Sequence, residues 1–438
     1  MFESVIVDQN PHWDGTLYQE GVPRTVLGNV REYLDLPHVI ALVGVRRSGK
    51  STIARQTINH LIRDKGINPR NILFLNLENP QFSRYRNQVA YLDQAYQDYL
   101  KLASPEGTVY CFLDEVHFFQ EWQVFVKSRY EQKDIKFVIT GSNSHLLSSE
   151  FITLLSGRAL PVEVYPFSFP EFCRAKGLDV SDLISQTRER NRLRGLLDLY
   201  LSGGGFPEIS TMDNSPVRKE ILIMYARNIL YQDIAPRFAV KKALDLENLF
   251  FYLASNIASL YSYNKLADMT GLNDKTVKEY LGYFSDAYLL FTLDSFSFSA
   301  REQIKSPKKV YAIDTGMAGA VGFSFSKNQG HLLENKVYLE LKRRGNGNLY
   351  YFKTENGFEV DFAETTGGKV TRLLQVVQEL GDEKTRNREF RALLKAMDET
   401  GLHEAEIVTY EEEENISLDG KEIRLIPAYK FLLGERDL

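Results

Sequence analysis

The segment GVRRSGKS places Gly44, Gly49, Lys50 and Ser51 in the spacing G-x4-G-K-S. It follows an apolar run and opens a segment with a helical pattern. Glycines here let backbone N–H groups turn towards an anion, and the helix N-terminus adds partial positive charge. A lysine and a hydroxyl directly after the second glycine suit terminal phosphates and a metal ion. The spacing therefore predicts a loop that binds the phosphates of ATP. The predicted loop consists of Gly44, Val45, Arg46, Arg47, Ser48, Gly49, Lys50, Ser51 and Thr52.

Two adjacent acids, Asp114 and Glu115, end the apolar run VYCFLDE. A buried strand that ends in this pair places one carboxylate near a metal ion and the next near the γ-phosphate. We predict that Ser51 and Asp114 hold Mg²⁺ and that Glu115 orients and polarises the attacking water. Lys50 is expected to contact the β- and γ-phosphates. The expected reaction is hydrolysis of ATP to ADP and phosphate.

Polar residues and an arginine extend this candidate site. The run KFVITGSNS ends in Ser142 and Asn143, and Asn143 could bond the γ-phosphate or the water, or else cap a helix. Arg158, before the run LPVEVYPF, could reach ATP on a neighbouring subunit, or form a surface salt bridge. Arg46 and Arg47 could touch phosphate or a neighbouring subunit, or be solvated.

Composition excludes several classes of function. The chain has 438 residues, of which 43% are hydrophobic and 25% are charged, as in a globular protein of several domains. The net charge of −5 gives no global attraction to nucleic acid, so any such contact needs a local basic face. Only Cys111 and Cys173 are cysteines, which suggests a reducing compartment. Without a visible signal peptide or an apolar stretch of membrane length, we expect a cytoplasmic protein with no membrane partner.

The elements that position the site follow from alternating apolar and amphipathic segments. Short apolar runs with polar or turn boundaries predict strands of a parallel sheet flanked by helices. The runs are HVIALVGV, NILFLNL, VYCFLDE, KFVIT and LPVEVYPF. From residue 168 to 239 the composition is helical, as in a lid or connector, and Gly203-Gly204-Gly205 interrupts it. A further α/β region begins near His331.

These motifs together resemble those of AAA+-type P-loop ATPases that carry a C-terminal DUF4143 domain. The resemblance covers nearly the whole chain. It rests on GVRRSGKST, FLDEVHFFQEW, TGSNSHLLS, SGRALPVEVYPFSFPEF, YLSGGGFPE, ENKVYLEL and FEVDFAE. It implies nucleotide-handling roles for Lys50, Ser51, Asp114, Glu115, Asn143 and Arg158. It also implies a homo-oligomer, such as a ring with the active site at the subunit boundary.

The expected fold class is α/β, divided into four parts. We assign residues 1–167 to an AAA+-like P-loop domain and residues 168–239 to a helical lid or connector. Residues 240–305 are assigned to a winged-helix-like domain, and residues 306–438 to a DUF4143 domain with a restriction-endonuclease-like fold.

The segment YSYNKLADMTGLNDKTVKEYLGYF predicts two helices around a tight turn. The second helix would present Lys275, Thr276 and Lys278 to one side, as a helix that enters the major groove of DNA does. Such modules also bind proteins, and the acids Asp274 and Glu279 weaken the positive field.

The C-terminal part follows the order of acids in a restriction-endonuclease-like fold, with Glu334 on a helix and Asp361 on a strand. An active nuclease also needs a later strand acid, and a lysine two positions beyond it. Gln375 and Val377 stand at these positions, so the nuclease site is predicted to be degenerate. A replacement lysine could come from elsewhere, such as Lys353 or Lys384.

Three functions remain open. The first is a Mg²⁺-dependent ATPase that binds or acts on DNA through its later domains, with nuclease activity lost. The second is a nucleotide-controlled switch in protein interaction or signalling, without DNA binding. The third is an ATP-dependent nuclease.

Overall fold

A computed structural model of the chain describes residues 1–132, 135–141, 157–180, 182–212, 214–322, 329–345, 347–381 and 383–434. The chain divides into two units, Met1–Pro166 and Phe167–Leu438. Each unit is described by itself.

The first unit is built on the apolar runs seen in the sequence, which form one parallel sheet. Its strands are β1 (Val39–Val43), β2 (Ile72–Asn76), β3 (Val109–Asp114), β4 (Ile135–Gly141) and β5 (Ala159–Glu163). Their order is β2-β3-β4-β1-β5, and all neighbours are parallel. Every residue of β1 and β4 is buried, because helices cover both faces of the sheet. The predicted parallel sheet flanked by helices is confirmed.

The helices of the first unit are α1 (Glu3–Gln9), α2 (Leu27–Leu34), α3 (Lys50–Arg63), α4 (Ala90–Ala103) and α5 (Trp122–Tyr130). Helix α3 buries Ile53, Ile58 and Leu61 in the core that also contains Ile40 and Leu42 of β1. This apolar face fixes the start of α3 directly after the loop that leaves β1. The carboxyl ends of β1, β4 and β3 lie side by side, and the candidate site residues follow them.

The second unit contains two sheets. The smaller sheet joins β6 (Leu260–Tyr261), β7 (Leu290–Leu293) and β8 (Lys308–Ala312) in the antiparallel order β6-β8-β7. The larger sheet has the order β13-β14-β12-β11-β10-β9. Its strands are β9 (Asn348–Lys353), β10 (Glu359–Thr366), β11 (Lys369–Val377), β12 (Glu404–Thr409), β13 (Glu414–Leu418) and β14 (Lys421–Pro427). The predicted C-terminal α/β region is therefore confirmed as a separate sheet.

The order of elements around the larger sheet is helix, three antiparallel strands, helix, and then a strand parallel to β11.

The helices of the second unit are α6 (Phe169–Ala175), α7 (Leu183–Arg188), α8 (Arg190–Gly203), α9 (Pro207–Ser210), α10 (Ser215–Asn228), α11 (Ala235–Arg237), α12 (Ala243–Ser255), α13 (Tyr263–Thr270), α14 (Asp274–Asp286), α15 (Ala300–Lys305), α16 (Thr315–Val321), α17 (Gln329–Arg344), α18 (Glu383–Thr400) and α19 (Ala428–Leu433). A π-helical turn, Ile229–Ile234, joins α10 to α11.

Helices α13 and α14 form the predicted helix-turn-helix. Gly271 ends α13, and the side chain of Asn273 accepts a hydrogen bond from Thr276 N at 2.8 Å to cap α14. In the sequence, β6 precedes these two helices and β7 follows them. Both strands pair with β8. The winged-helix assignment itself, like the four domain boundaries, stays a prediction.

The run of three glycines forms a tightly packed joint within the second unit. Gly204 has φ of 80°, and a Cβ atom there would lie 2.1 Å from a carboxylate oxygen of Asp314. The same carboxylate accepts hydrogen bonds from Gly205 N at 2.6 Å and from Met317 N at 2.9 Å. Glycine is needed because no side chain fits between the end of α8 and Asp314.

None of the helices in the described ranges combines the length and apolar character that a bilayer span requires.

Candidate active site

The predicted phosphate-binding loop runs from Gly44 to Gly49, between the end of β1 and the start of α3. Gly44 has φ of 150°, and a Cβ atom there would lie 2.2 Å from the carbonyl oxygen of Val164. That close approach exists because Val164 N donates to Val43 O at 2.7 Å. Any larger residue at position 44 would therefore push the loop away from the sheet. The strand, loop and helix context required by the motif is present.

Lys50 is the first residue of α3 and is buried inside the loop. Its ammonium donates to Gly44 O and Val45 O, each at 3.1 Å. The bonds hold the positive charge within the loop, next to the start of a helix whose free N–H groups also favour an anion. A lysine bound only to neutral carbonyls keeps its charge available for a phosphate.

Asp114, at the end of β3, receives two hydroxyl hydrogen bonds. Ser51 Oγ donates to Asp114 Oδ1 at 2.9 Å, and Thr140 Oγ1 donates to the same oxygen at 2.6 Å. The predicted pair of metal ligands, Ser51 and Asp114, therefore lies together. Thr140, which lies on β4 directly before Gly141, was not anticipated, although its hydroxyl at the end of a strand adjacent to β3 was a visible signal.

Burial raises the pKa of Asp114 to about 6, and the negative charge of Glu115 acts in the same direction. The hydrogen bonds from Thr140 and Ser51 favour the charged form and limit this rise. A carboxyl group with this pKa is mostly ionised at neutral pH. Its buried negative charge strongly attracts a cation.

The backbone of Glu115 is left-handed, with φ of 56° and ψ of 52°, directly after the strand that ends at Asp114. Its N–H donates to Thr140 Oγ1 at 3.0 Å, and its carbonyl accepts from Phe118 N at 3.1 Å. Its Oε2 lies 3.2 Å from Nδ1 of His117, and its side chain is 18% exposed. The left-handed turn thus gives the two adjacent acids different surroundings, one dry and one reached by solvent.

Other loop residues have identifiable contacts. Arg46 forms an ion pair of 2.9 Å with Glu78 at the surface, and Arg47 has φ of 67°. The carbonyl of Ser48 accepts a 2.8 Å hydrogen bond from the buried guanidinium of Arg24. Arg24, which the sequence did not single out, also donates to Tyr165 O at 2.7 Å and thereby ties the loop to the chain after β5.

Arg158 lies at the opposite edge of the sheet. Its carbonyl accepts from Val39 N at 2.9 Å, at the start of β1, whereas the phosphate-binding loop follows the end of that strand. Its guanidinium carbon is 5.5 Å from the centre of the Tyr130 ring. Arg158 is therefore not part of the phosphate loop of its own chain. Ser142 and Asn143 lie outside the described residues.

The oxygen donors of Ser51 and Asp114 are suited to a metal ion. Mg²⁺ in nucleotide sites is held by one or two protein oxygens, and phosphates and water complete its shell. Ser51 and Asp114 supply that number. In the described part of the chain, no three His, Cys, Asp or Glu side chains are grouped to hold a metal ion alone.

The second unit brings the three predicted nuclease residues together. Lys309, on β8, contacts Glu334 and Asp361, while Gln375 Oε1 accepts from Asp361 N at 3.0 Å. Lys353 and Lys384, the two lysines considered as replacements, are exposed. Lys309 was missed because it precedes the acids and belongs to a different sheet.

The predicted DNA-facing residues of α14 are exposed or partly exposed. Lys278 contacts Asp274 at 2.5 Å, and Lys275 lies 3.9 Å from Glu279. Each lysine is thus paired with an acid one turn away, which reduces the positive field of this helix.

A phosphate-binding loop after β1, an acid at the end of β3, and the strand order β2-β3-β4-β1-β5 define the class of AAA-type P-loop ATPases. The sequence matches the family described as AAA domain over residues 37–173. It matches a domain of unknown function, DUF8612, over residues 194–328 and another, DUF4143, over residues 329–431. The chain belongs to the family of AAA-type P-loop ATPases with a C-terminal DUF4143 domain, as the sequence motifs predicted.

Two relatives resemble most of the chain. Uncharacterized protein MJ1544 of Methanocaldococcus jannaschii is 36% identical over 414 residues, which cover 91% of this chain and 89% of that protein. An uncharacterized protein of Haemophilus influenzae is 31% identical over 319 residues, which cover 72% of this chain and 76% of that protein.

Among solved structures, the Orc1 protein of Aeropyrum pernix in complex with DNA matches with 13% identity and a TM-score of 0.31. That match covers 69% of this chain and 93% of Orc1. DnaA of Aquifex aeolicus bound to AMPPCP matches with 15% identity and a TM-score of 0.27, over 64% of this chain and 92% of DnaA.

Proposed function

We propose that this protein binds ATP with Mg²⁺ and hydrolyses it to ADP and phosphate. The observation that carries the proposal is the contact of Ser51 and Thr140 with the buried carboxylate of Asp114, beside a lysine held inside the phosphate-binding loop. Phosphates would meet the N–H groups of the loop and the ammonium of Lys50. Ser51 and Asp114 would hold Mg²⁺, whose chemistry is to neutralise charge on the phosphate oxygens.

Glu115 is proposed to accept a proton from the attacking water. Its carboxylate is partly exposed and lies on the strand end adjacent to Asp114, so it can face both water and the phosphate side of the site. His117, 3.2 Å from Glu115 Oε2, would restrict the orientation of that carboxylate. Asn143 stays a candidate for contact with the γ-phosphate or the water.

The test separates binding from turnover. Lys50→Ala should weaken ATP binding, measured by calorimetry, because the loop loses its ammonium. Glu115→Gln should bind ATP normally and lose turnover by roughly a hundredfold or more, since general-base catalysis contributes on this scale. Normal turnover in Glu115→Gln would remove its assigned role, and unchanged ATP affinity in Lys50→Ala would contradict the loop assignment.

We propose a homo-oligomer, such as a ring, because Arg158 lies at the sheet edge away from its own loop. At that edge its guanidinium could reach an ATP bound to another subunit. A mixture of Arg158→Ala and Lys50→Ala chains should therefore regain activity that neither variant has alone. No recovery in mixtures shown to co-assemble would refute a role in trans.

DNA is the proposed partner of the later domains, with nuclease activity lost. The helix-turn-helix formed by α13 and α14 supports the proposal, because the outer face of its second helix carries Lys275, Thr276 and Lys278, which are exposed or partly exposed. ATP turnover should rise with duplex, forked or single-stranded DNA, and this stimulation should fall steeply with salt. A chain that neither retards DNA nor responds to it would exclude this partner.

The pairing of Lys275 with Glu279 and of Lys278 with Asp274 favours a second candidate function. A helix with balanced charge suits a protein surface as well as DNA, so the nucleotide could control assembly with another protein. In that case ATP should change the oligomer measured by light scattering, and DNA should have no effect on turnover.

A further inference from the structure

Three carboxylates of the second unit surround one lysine. The ammonium of Lys309 lies 3.0 Å from Glu334 Oε1, 2.7 Å from Asp361 Oδ1 and 2.8 Å from Glu359 Oε1. The side chain of Lys309 is 3% exposed, and those of Glu334 and Asp361 are 9% and 10% exposed. We call these four residues the lysine–carboxylate cluster. An isolated charge buried to this extent would be costly, so the ammonium of Lys309 needs the carboxylates around it. Three carboxylates around one ammonium leave an excess of negative charge, and burial together with the charge of Asp361 raises the pKa of Glu334 to about 8.

The lysine–carboxylate cluster joins three different elements. Lys309 comes from β8 of the smaller sheet, Glu334 from α17, and Asp361 and Glu359 from β10 of the larger sheet. Glu334 and Asp361 are the acids that a metal-dependent nuclease of this type would direct at its cation. In this chain they direct their oxygens at an ammonium instead.

Three carboxylate oxygens of Glu334 and Asp361 have hydrogen-bond partners within the chain. Asp361 Oδ1 accepts from Lys309, and Asp361 Oδ2 accepts from Val376 N at 2.9 Å. Glu334 Oε1 accepts from both Lys309 and the hydroxyl of Tyr311, the latter at 2.7 Å. These three carboxylate oxygens therefore already accept hydrogen bonds within the chain.

Gln375, which stands where a nuclease has its second strand acid, does not enter the cluster. Its amide oxygen accepts from Asp361 N at 3.0 Å, and its amide nitrogen donates to Glu389 Oε2 at 2.9 Å. Both ends of the side chain thus have partners outside the ring of carboxylates around Lys309. A glutamate at this position could not make the second bond, because a carboxylate does not donate to another carboxylate.

We propose that Lys309 is the resident cation of the lysine–carboxylate cluster, in the place that a divalent metal ion takes in a nuclease of this fold. The domain then binds no metal ion at Glu334 and Asp361, and the ammonium joins β8 to α17 and β10. The inference does not depend on the ATP site. It deepens the proposed loss of nuclease activity, which is measured separately below.

A change at Lys309 should convert the cluster into a metal site. Lys309→Met keeps the length and apolar stem of the side chain but leaves three carboxylates without a cation, and a divalent cation with oxygen preference would then be attracted. Lys308→Met is the matched control. Lys308 is adjacent on β8 and also forms an ion pair, but with Asp294 outside the cluster.

The experiment measures binding of Mn²⁺ to the full chain without nucleotide, by the electron paramagnetic resonance signal of free Mn²⁺. Every chain carries Asp114→Asn, so that the ATP site contributes little. The background chain and Lys308→Met should show no tight Mn²⁺ binding. Lys309→Met should bind Mn²⁺ at least about tenfold more tightly, and Mn²⁺ should raise its melting temperature, because a ligand that binds only the folded state stabilises it.

Two results would overturn the inference. One is tight Mn²⁺ binding by the background chain that Asp361→Asn abolishes, because the cluster would then hold a metal ion beside Lys309. The other is a folded Lys309→Met chain that gains no affinity for Mn²⁺. If Lys309→Met does not fold, the double variant Lys309→Met with Glu359→Gln carries one charge less and is judged by the same two measurements.

Cleavage of DNA is the separate measurement. The wild-type chain should leave linear and supercoiled DNA intact with Mg²⁺ or Mn²⁺, whether or not it hydrolyses ATP. Metal-dependent cleavage that both Lys309→Ala and Asp361→Asn remove would show a nuclease in which Lys309 is the catalytic lysine, and the inference would fail.

Discussion

Each unit contains a buried lysine and, near it, a carboxylate on a strand. The two lysines differ in the groups that their ammonium contacts. In the first unit the ammonium of Lys50 donates to two backbone carbonyls, and Asp114 receives hydrogen bonds from neutral hydroxyls. In the second unit the ammonium of Lys309 contacts three carboxylates directly. The first arrangement leaves a separate positive charge and a separate negative charge for ligands. In the second, the ammonium and the carboxylates are bound to each other.

The comparison shows that residue types alone do not define a cation site. Asp114 and Asp361 are both acids on buried strands with hydrogen bonds at their oxygens. A hydroxyl partner stabilises the carboxylate without cancelling its charge, whereas an ammonium cancels it. The partner of the carboxylate, rather than the carboxylate, decides whether a metal ion is attracted.

The largest expected effect comes from replacing the aspartate with asparagine at each of the two sites, in separate variants. Asp114→Asn should lower ATP turnover by at least about a hundredfold, because the metal ion loses its charged ligand. Asp361→Asn should leave turnover within about twofold and lower the stability of the second unit. Its cost should be on the order of 3–5 kcal/mol, the usual scale for breaking a buried ion pair. Turnover and chemical denaturation measure the two effects, and equal loss of turnover in both variants would break the comparison.

A change at Thr140 sharpens the role of the hydroxyl partners. Protonated Asp114 cannot hold Mg²⁺, so at limiting Mg²⁺ the turnover should fall as the pH falls through about 6, the pKa of this carboxyl. Thr140→Val removes a hydrogen bond that favours the charged form, so the pKa should rise and the acidic limb should move to higher pH. The measurement is the pH profile of turnover at limiting Mg²⁺. A limb that stays in place, or moves to lower pH, would contradict this role of Thr140.

The smallest expected effect concerns His117, which contacts Glu115 in the first unit. The four residues of the lysine–carboxylate cluster include no histidine. His117→Ala should lower kcat by a few-fold with little change in KM, because the general base becomes less well oriented while ATP binding is untouched. His117→Asn keeps an N–H group near the position of Nδ1 and should recover part of the loss. A change in KM alone, or no difference between the two variants, would assign His117 a structural role only.

Much of the first unit could be predicted from the sequence. The five strands coincide with short apolar runs, because strands covered on both faces must be apolar throughout. The motif around Lys50 and Ser51 fixed the position of the loop, since only glycine can approach the backbone of Val164 at position 44. The contacts of Arg24 could not be predicted, because they depend on which loop lies beside it. Thr140 and His117 were overlooked, although one lies at the end of a neighbouring strand and the other lies two residues after Glu115.

In the second unit the sequence predicted that the two acids belong to one site, but not that Lys309 contacts both of them. Lys353 and Lys384 were considered for their proximity in sequence, and both are exposed. Lys309 reaches the cluster because β8 pairs with β6 and β7 and lies against the helix that carries Glu334. The three glycines were compatible with a lid, whereas Gly204 and Gly205 pack against Asp314 in a joint that no local pattern specifies.

By itself the sequence determined the class of the protein and the parallel sheet of the first unit, and it predicted the position of a loop for phosphates. These features depend on local spacing and on apolar periodicity, which are properties of neighbouring residues. Tertiary structure alone decided the partners of the carboxylates, because a lysine distant in sequence becomes adjacent only when separate sheets and helices meet. Electrostatic interactions act through space and depend on those distances, so the character of each acidic site was set by folding.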